Sequence, residues 1–276
     1  MNLYDEITRR IIEQLEQGMI PWQKPWIDSS SAISHVTGKP YSLLNQMLLG
    51  RPGEYVTFRQ CQQEGGMARK GEKSSMVVFW KWIEQEDEES GEKKSIPFLR
   101  YYNVFHIDQC EGLHPRHHIH PCTPVTADEV ADSIISAYLE RSAVRLSHTG
   151  SNRAFYRPSD DSIFLPLREQ FRSTAEYYST VYHEMVHSTG HKSRLDRLDH
   201  VAAFGSEDYS KEELIAEIGT AALVNQAGLE TASSFSNSAA YIQNWLSVLR
   251  NDKRFIVSAA GKAEKAVKLI LNHISE

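Results

Sequence analysis

The chain contains the pattern His-Glu-Met-Val-His, in which His183 and His187 are four residues apart. Ser173 and Glu176 lie just upstream at the spacing of a capping box, so we expect these residues to belong to one helix. Residues four apart stack on one helix face about 6 Å from each other, so both rings can converge on one metal ion. Glu184 is turned about 100° from His183, beside such an ion. The spacing predicts two metal ligands and a general base for a bound water.

A site of this kind needs a third protein ligand and a fourth position open to water. His191 follows in sequence, but a helix rises about 1.5 Å per residue, which places it roughly 12 Å from His183 unless the chain turns. Glu213 and Glu217 are four apart on the next predicted helix. We take Glu213 as the ligand and Glu217 as the acid that orients a ligating histidine. An alternative stays open, in which Glu213 only caps its helix with Ser210 and Glu217 is the ligand.

The first part of the chain mixes helix and strand signals. Apolar residues from Leu3 to Leu15 recur at three-to-four spacing, which predicts an amphipathic helix. The stretches SMVVFWKWI and IPFLRYYNVFHI flank the acidic loop EQEDEESGEKK and are rich in β-branched and aromatic residues, so we expect a β-hairpin. The run CEGLHPRHHIHPCTP has three prolines and is typical of a linker. Its cysteines and histidines could bind a metal, but their spacing matches no closed zinc module.

These signals predict an α+β protein, and a chain of 276 residues is long enough for two domains that each bury a core. We expect a small α+β domain with a β-hairpin over residues 1–113 and a linker over residues 114–125. A mainly helical domain is expected over residues 126–276, where helix-start signals recur and where SAAYIQNWLSVLR and GKAEKAVKLILNHI close the chain.

Composition limits the function classes. Hydrophobic residues at 41% and charged residues at 24% are typical of a folded protein that is neither disordered nor membrane-embedded. No apolar run approaches the roughly 20 residues that span a bilayer, and the N-terminus carries acids where a signal peptide would be apolar. We therefore expect a cytoplasmic protein with no membrane partner. Three cysteines fit a reducing compartment. The net charge of −6 argues against a strongly basic nucleic-acid binder.

Nucleic-acid binding must therefore rest on local charge. Outside the acidic loop, the first 105 residues carry 11 basic and 8 acidic side chains, with many aromatic residues between them. Proteins bind single-stranded DNA by stacking bases on aromatic rings while cations follow the phosphates. Trp80 and Trp82 point to the same face of a strand. They form either a stacking platform or the core side of the hairpin.

Several motifs resemble those of ArdC-type antirestriction proteins. HEMVHSTGH, KSRLDR and FGSEDYSKEELIAEIGTAAL resemble the zincin-type metallopeptidase domain of that family. PWQKPW, TGKPYSLLNQMLL, RKGEKS and YYNVFHIDQCEG resemble its N-terminal domain, so the resemblance covers nearly the whole chain. EELIAEIGT is also similar to the second zinc motif of thermolysin-like gluzincins, which supports Glu213 before Glu217 as the ligand. Where the family more often has Arg-Gly-Ile-Asn after the tyrosine, this chain has Ser42, Leu43, Leu44 and Asn45.

The resemblance implies a protein that binds single-stranded DNA, carries a metal-dependent peptidase site with Glu184 as the catalytic base, and protects mobile-element DNA from host restriction. It implies Zn²⁺, with Mn²⁺ or another divalent ion also possible, and a protein or peptide substrate of unknown identity. Two alternatives stay open: a cytosolic metallopeptidase with a protein-binding N-terminal domain, and a DNA-protection protein with a non-catalytic metal site. The candidate DNA-binding residues are Trp22, Trp26, Tyr41, Asn45, Arg59, Lys70, Lys73, Trp80, Tyr101 and Tyr102.

Overall fold

The protein is described by a computed structural model, and its fold is mixed α+β. The structure describes residues 2–17, 19–22, 31–86, 93–117, 127–198, 207–229 and 238–272. Contacts between Cα atoms divide the chain into two compact units. The first unit comprises residues 1–7 and 30–119, and the second comprises residues 8–29 and 120–276. The predicted α+β class is confirmed.

Helix α1 opens the chain, and a small mixed sheet follows it. The elements up to residue 111 are α1 (Leu3–Glu16), β1 (Ala32–Ser34), α2 (Leu43–Leu49), β2 (Gly53–Thr57), α3 (Phe58–Gln63), β3 (Met67–Ala68), β4 (Ser75–Glu86), β5 (Lys93–His106) and β6 (Cys110–Glu111). Four strands form a sheet in the order β1-β2-β5-β4, and β3 pairs with β6. In the four-stranded sheet, β1 and β2 pair in parallel, whereas β2 with β5 and β5 with β4 pair antiparallel.

Local sequence explains how the helices of the first unit begin and end. The Ser42 side chain accepts a hydrogen bond from the backbone N–H of Asn45, and Gly50 ends α2 in the left-handed conformation at φ 62°. Thr57 and Gln60 form a reciprocal capping box at the start of α3. Apolar side chains then close the core of this unit against the sheet. They are Ala32, Leu49, Tyr55, Val77 and Val104.

The predicted β-hairpin is confirmed. Strands β4 and β5 pair antiparallel from Ser75 opposite Val104 to Glu86 opposite Lys93. Strand β2 pairs with β5 only through residues 104–106. Among the described strands, the rest of the hairpin therefore has no third strand beside it, and we call residues 76–86 with residues 93–103 the ribbon.

The second unit is mainly helical and also contains a three-stranded sheet. Its elements are α4 (Ala127–Ser142), β7 (Arg145–Thr149), β8 (Phe155–Arg157), β9 (Ser162–Pro166), α5 (Thr174–Ser188), α6 (Glu207–Gln226), α7 (Ser238–Asn251) and α8 (Phe255–Leu271). The strand order is β7-β9-β8, with β7 parallel and β8 antiparallel to β9. Within the described residues, no helix is both long and apolar enough to cross a bilayer.

Helices α5 and α6 pack directly against each other, and this contact positions the candidate site. The close approach depends on Gly219 of α6. A Cβ atom at Gly219 would lie 2.9 Å from Cγ2 of Val186 on α5, which is closer than two carbon atoms can pack. Glycine therefore lets the two backbones come together at this level.

The start of α6 differs from the sequence-based expectation. Helix α6 begins at Glu207, so Ser210 lies inside the helix and does not cap it, and Glu213 is free for another role. Residues 8–29 group with the second unit and not with the first 113 residues. This segment contacts the C-terminal part of the chain, since the Thr8 hydroxyl donates to the Lys253 carbonyl at 2.6 Å.

Residues 116 and 117, within the predicted linker, bond the first unit. The backbone N–H groups of Arg116 and His117 donate to the Glu54 carboxylate at 2.9 and 2.7 Å, so this stretch is held to the first unit. The rest of the predicted linker, residues 118–125, lies outside the described residues.

Candidate metal centre and aromatic ribbon

Helices α5 and α6 bring together His183, His187 and Glu213, the three predicted metal ligands. The Nε2 atoms of His183 and His187 are 3.1 Å apart. The Glu213 carboxylate lies 3.5 Å from Nε2 of His183 and 3.4 Å from Nε2 of His187. Because the two histidines are one turn apart on α5, their rings point to the same side, where α6 supplies the acid.

The donor set fits a divalent cation. Ligands bound tetrahedrally at the usual zinc distances of about 2.0–2.1 Å lie about 3.3 Å from one another. The two Nε2 atoms, 3.1 Å apart, lie close to that spacing, and the two oxygens of Glu213 approach one ring each, Oε2 at 3.5 Å from His183 and Oε1 at 3.4 Å from His187. Two imidazole nitrogens and one carboxylate also match the three protein ligands of catalytic zinc sites, which keep a fourth position for water or substrate. The residues present therefore suit Zn²⁺ or a similar divalent ion.

Each histidine has a second glutamate behind its ring. Nδ1 of His187 is 3.2 Å from Oε1 of Glu212, which is a hydrogen-bond distance. Nδ1 of His183 is 3.9 Å from Oε1 of Glu217, which is too long for a hydrogen bond. The helical spacing in the sequence predicts Glu217 for this orienting role and does not single out Glu212. The sequence feature that could have identified Glu212 is its position next to Glu213. Successive helical residues point about 100° apart, so one carboxylate can face the front of the His187 ring and the other its back.

Glu212 is itself held by Arg197, a residue that the sequence analysis did not select. Nε of Arg197 lies 3.2 and 3.0 Å from the two carboxylate oxygens, and Nη2 lies 2.9 Å from Oε1. Nη1 of Arg197 also donates to the Thr189 hydroxyl at 2.7 Å, and Nη2 donates to the Val186 carbonyl. The guanidinium thus ties Glu212 to the C-terminal end of α5.

The charges of the cluster change its proton affinities in the metal-free state. Burial lowers the pKa of His187, but hydrogen bonds to Glu212 and Glu213 outweigh it and raise the pKa well above 6.5. For His183 burial is likewise outweighed by the hydrogen bond to Glu213, so its pKa is also raised. Burial raises the pKa of Glu213, yet the two histidines lower it overall. Glu217, for which burial dominates, has its pKa raised to about 7.

Three further candidates from the sequence, Glu184, Glu217 and His191, are not among the converging ligands. Glu184, the predicted base, is buried next to the cluster, and its charge contributes to the raised pKa of His183. One carboxylate oxygen of Glu217 is buried without a hydrogen-bond partner. The Nδ1 atom of His191 accepts from the Ser193 backbone and lies 2.7 Å from its hydroxyl oxygen, and His191 is not among the converging ligands.

The aromatic candidates of the first unit divide into exposed and buried residues. Trp80 is 39% exposed, Tyr101 is 58% exposed and Tyr102 is 47% exposed, all at the described base of the ribbon. Phe79, at 50% exposed, belongs with them although the sequence analysis did not select it. From the pairing register, Trp80 and Tyr101 share one face of the ribbon, while Phe79 and Tyr102 share the other. Both faces therefore present aromatic rings.

Among the polar candidates, the cations are exposed and Asn45 is not. Arg59, Lys70 and Lys73 are exposed. Arg100, which the sequence analysis did not commit to as a DNA contact, is also exposed and lies opposite Phe79 in the ribbon. Asn45 is buried instead.

Three candidates, Trp22, Asn45 and Tyr41, do not lie on an open surface. Trp22 is buried, and its ring packs edge-on to Trp245 at 5.1 Å, so the structure gives it a core role and no stacking role. The Asn45 carboxamide is buried and bonds the N–H and C=O of Val78, both at 2.8 Å. Tyr41 is half-buried against the sheet core. Trp26 and the side chain of Trp82 lie outside the described part of the chain.

Comparison with known proteins places this geometry in a family. Residues 1–105 match the N-terminal domain of anti-restriction factor ArdC, and residues 133–262 match a zincin-like metallopeptidase domain. The metal-free crystal structure of antirestriction ArdC protein from the R388 plasmid is 38% identical, with a TM-score of 0.79 and coverage of 100% of both chains. This chain belongs to the ArdC antirestriction family.

Three further comparisons concern this ArdC family member. The Mn(II)-bound crystal structure of R388 ArdC is 37% identical, with a TM-score of 0.80 over 99% of this chain and 98% of that one, so a divalent metal is implied here. Protein y4eC of Sinorhizobium fredii is 32% identical over 96% of this chain and 90% of its own length. DNA primase TraC of Escherichia coli is 36% identical over 97% of this chain, which spans only 27% of that primase.

Proposed function

We propose that this ArdC family protein binds single-stranded DNA through its ribbon, hydrolyses peptide bonds at its metal centre, and thereby protects plasmid or other mobile-element DNA from host restriction. The observation that carries the peptidase part is the convergence of two imidazoles and one carboxylate on α5 and α6, with Glu184 buried beside them. A purely structural zinc site would close its fourth position with another protein ligand. Zn²⁺ is the ion that this donor set suits best.

The chain's own residues divide the chemistry between them. His183, His187 and Glu213 would hold the ion. A bound divalent ion would polarise the peptide carbonyl and make water easier to deprotonate near neutral pH. Glu184 takes the water proton on its carboxylate and can deliver it to the leaving amine nitrogen. Because Glu184 is buried, few other water molecules reach its carboxylate.

The test of the peptidase is Glu184→Gln in the full chain loaded with Zn²⁺. An amide cannot accept the water proton, so cleavage of labelled casein should fall by about 10²–10⁴-fold while metal content stays at the wild-type value. Undiminished cleavage in the variant would refute this role of Glu184. If neither protein cleaves, the result would favour a DNA-protection protein with a non-catalytic metal site.

The observation that carries the DNA-binding part is the exposure of four aromatic rings on the ribbon. Phe79, Trp80, Tyr101 and Tyr102 are each between 39% and 58% exposed, in a unit where other aromatic rings such as Tyr55 are buried. Exposed apolar patches often mark interaction sites, and these rings lie as one pair on each face of the ribbon. Stacking contributes about 1–3 kcal/mol per base and tolerates any base, because every base has a π-face.

Nearby charge supports the same ligand. Arg100 is exposed and directly opposite Phe79 in the ribbon. The exposed Arg59, Lys70 and Lys73 belong to the same unit, although no specific phosphate contact follows from their positions. With so few cations we expect about two to four phosphate contacts, each adding about −0.7 to the slope of log affinity against log salt.

The test of DNA binding uses the full-length Glu184→Gln variant, so that hydrolysis cannot interfere. Fluorescent single-stranded and double-stranded oligonucleotides of equal length are titrated at several salt concentrations. We expect tighter binding to the single strand, little sequence preference and a salt slope between about −1.4 and −2.8. No binding at low salt, or a preference for duplex, would favour a protein-binding N-terminal domain instead.

A further inference from the structure

We propose that Arg197 is a positioning residue for the metal centre, acting through Glu212 on the ligand His187. The inference rests on the metal-binding part of the proposed function. It assigns a role to Arg197, which lies in the loop after α5 (residues 189–198), and to Glu212, which lies on α6.

The geometry is a chain of hydrogen bonds that ends at the ligand. Arg197 holds both carboxylate oxygens of Glu212 at 2.9 to 3.2 Å. Oε1 of Glu212 lies 3.2 Å from Nδ1 of His187. A carboxylate in that place keeps the ring proton on Nδ1, which leaves the Nε2 lone pair directed at the other two ligands. The fork of Arg197 fixes the plane of the carboxylate, so the ring orientation is fixed as well.

The loop is built so that Arg197 reaches this position. The Gly190 carbonyl accepts from the backbone N–H groups of Arg197 and Leu198 at 3.0 and 3.1 Å. A Cβ atom at Gly190 would lie 2.7 Å from Cγ of Leu198 and 3.0 Å from Cγ of Arg197. The chain therefore folds back tightly onto the end of α5, and it brings a nearly buried guanidinium beside Glu212.

A second buried arginine in the same loop provides a matched control. Arg194 is 8% exposed and Arg197 is 7% exposed at the side chain. Arg194 also pairs with a carboxylate, Asp161, and also bonds the end of α5, through the Ser188 carbonyl at 2.9 Å. No hydrogen bond of Arg194 that the structure describes reaches a metal ligand or Glu212. The two residues thus share burial, charge and anchoring, and they differ in their link to His187.

Charge alone and positioning predict opposite results for Arg197→Ala. The substitution removes a positive charge close to the ligands, so a purely electrostatic effect would tighten the binding of a cation. A positioning role predicts weaker binding, because Glu212 loses its fixed plane and His187 loses its fixed ring. Loss of the groups that orient a ligand typically weakens metal affinity about 10- to 100-fold.

The experiment measures Zn²⁺ affinity of the full chain by competition with a chromogenic chelator, together with the melting temperature of the metal-free protein. We expect Arg197→Ala and Glu212→Gln to weaken affinity about 10- to 100-fold. Arg197→Lys keeps the charge but not the fork, and should restore only part of the loss. Arg194→Ala should lower the melting temperature while leaving Zn²⁺ affinity within about twofold of wild type.

Each other outcome counts against the inference in a distinguishable way. Unchanged or tighter affinity in Arg197→Ala would overturn the positioning role. Equal losses of affinity in Arg197→Ala and Arg194→Ala would assign the effect to loop stability. If Arg197→Ala does not fold, Arg197→Lys decides, since it keeps the charge and removes only the fork, and wild-type affinity in that variant would overturn the positioning role. If wild type binds neither Zn²⁺ nor Mn²⁺, the metal centre itself is wrong, and with it this inference.

Discussion

The metal centre of the second unit and the aromatic ribbon of the first differ in how their side chains are placed. At the centre, two helices enclose ligands that converge to separations of 3.1 to 3.5 Å, with Glu184 and Glu217 nearly fully buried beside them. On the ribbon, rings project from two strands and are about half exposed. The first arrangement depends on helical periodicity and close packing. The second depends on which surfaces the rest of the unit leaves open.

The largest expected effect distinguishes Glu213 from Glu217 on α6. Glu213→Ala removes a ligand, and since four ligands together contribute about 10–16 kcal/mol, Zn²⁺ affinity should fall by at least about a hundredfold. Glu217→Ala removes a carboxylate that lies 3.9 Å behind His183, so we expect about a tenfold loss. Metal analysis by mass spectrometry after equilibrium dialysis measures both. A larger loss in Glu217→Ala would exchange the two roles, and a loss of DNA affinity in either variant would contradict the separation of the two regions.

Acidity should affect the centre in opposite directions with and without metal. His183 and His187 must be neutral to bind an ion, and their pKa values are raised above 6.5, so metal occupancy should fall as pH drops through a range above 6.5. In the metal-free protein, a raised histidine pKa stabilises the fold below pH 6.5 and loses that contribution as pH rises through the folded-state pKa. The lowered pKa of Glu213 stabilises the fold above pH 4.5, and this contribution is lost at lower pH.

Melting temperatures between pH 5 and pH 9, with Zn²⁺ and with a chelator, test this. The difference between the two series should grow as pH rises. A constant difference across this range would show that the histidines do not exchange protons for metal.

A smaller effect tests the ribbon against the buried rings. Trp80→Ala and Tyr101→Ala should each weaken single-stranded DNA binding by about 1–3 kcal/mol, or about 5- to 150-fold, with little change in melting temperature. Trp22→Ala should lower the melting temperature and leave DNA affinity unchanged, because the Trp22 ring packs against Trp245 in a core. Fluorescence anisotropy and thermal unfolding of the three variants give the comparison. Loss of DNA affinity in Trp22→Ala alone would move the binding surface away from the ribbon.

The sequence predicted the parts that follow from local periodicity. His183 and His187 come together because they are one turn apart, and the hairpin forms because two β-rich stretches flank a polar loop. Arg197 and Glu212 escaped prediction because their contact requires the loop after α5 to fold back onto the end of that helix, which brings Arg197 beside α6. Periodicity also could not predict that Phe79 is exposed and Trp22 is buried, since both depend on residues distant in sequence.

The smallest expected effect concerns Asn45, which resembles a DNA-binding residue by its motif and lies buried at the edge of the sheet. Its carboxamide donates to the Val78 carbonyl and accepts from the Val78 N–H, so it occupies the place of a neighbouring strand beside β4. Asn45→Ala leaves both groups without this partner, which should destabilise the fold by about 1–3 kcal/mol in denaturant unfolding. Asn45→Asp should cost at least as much at neutral pH, because a carboxylate can accept from the N–H but repels the carbonyl oxygen. The affinity of the folded Asn45→Ala protein for single-stranded DNA should stay within about twofold of wild type, since no ribbon ring is changed. If Asn45→Ala lowers DNA affinity while stability is kept, Asn45 contacts DNA, and the binding surface extends from the ribbon to α2.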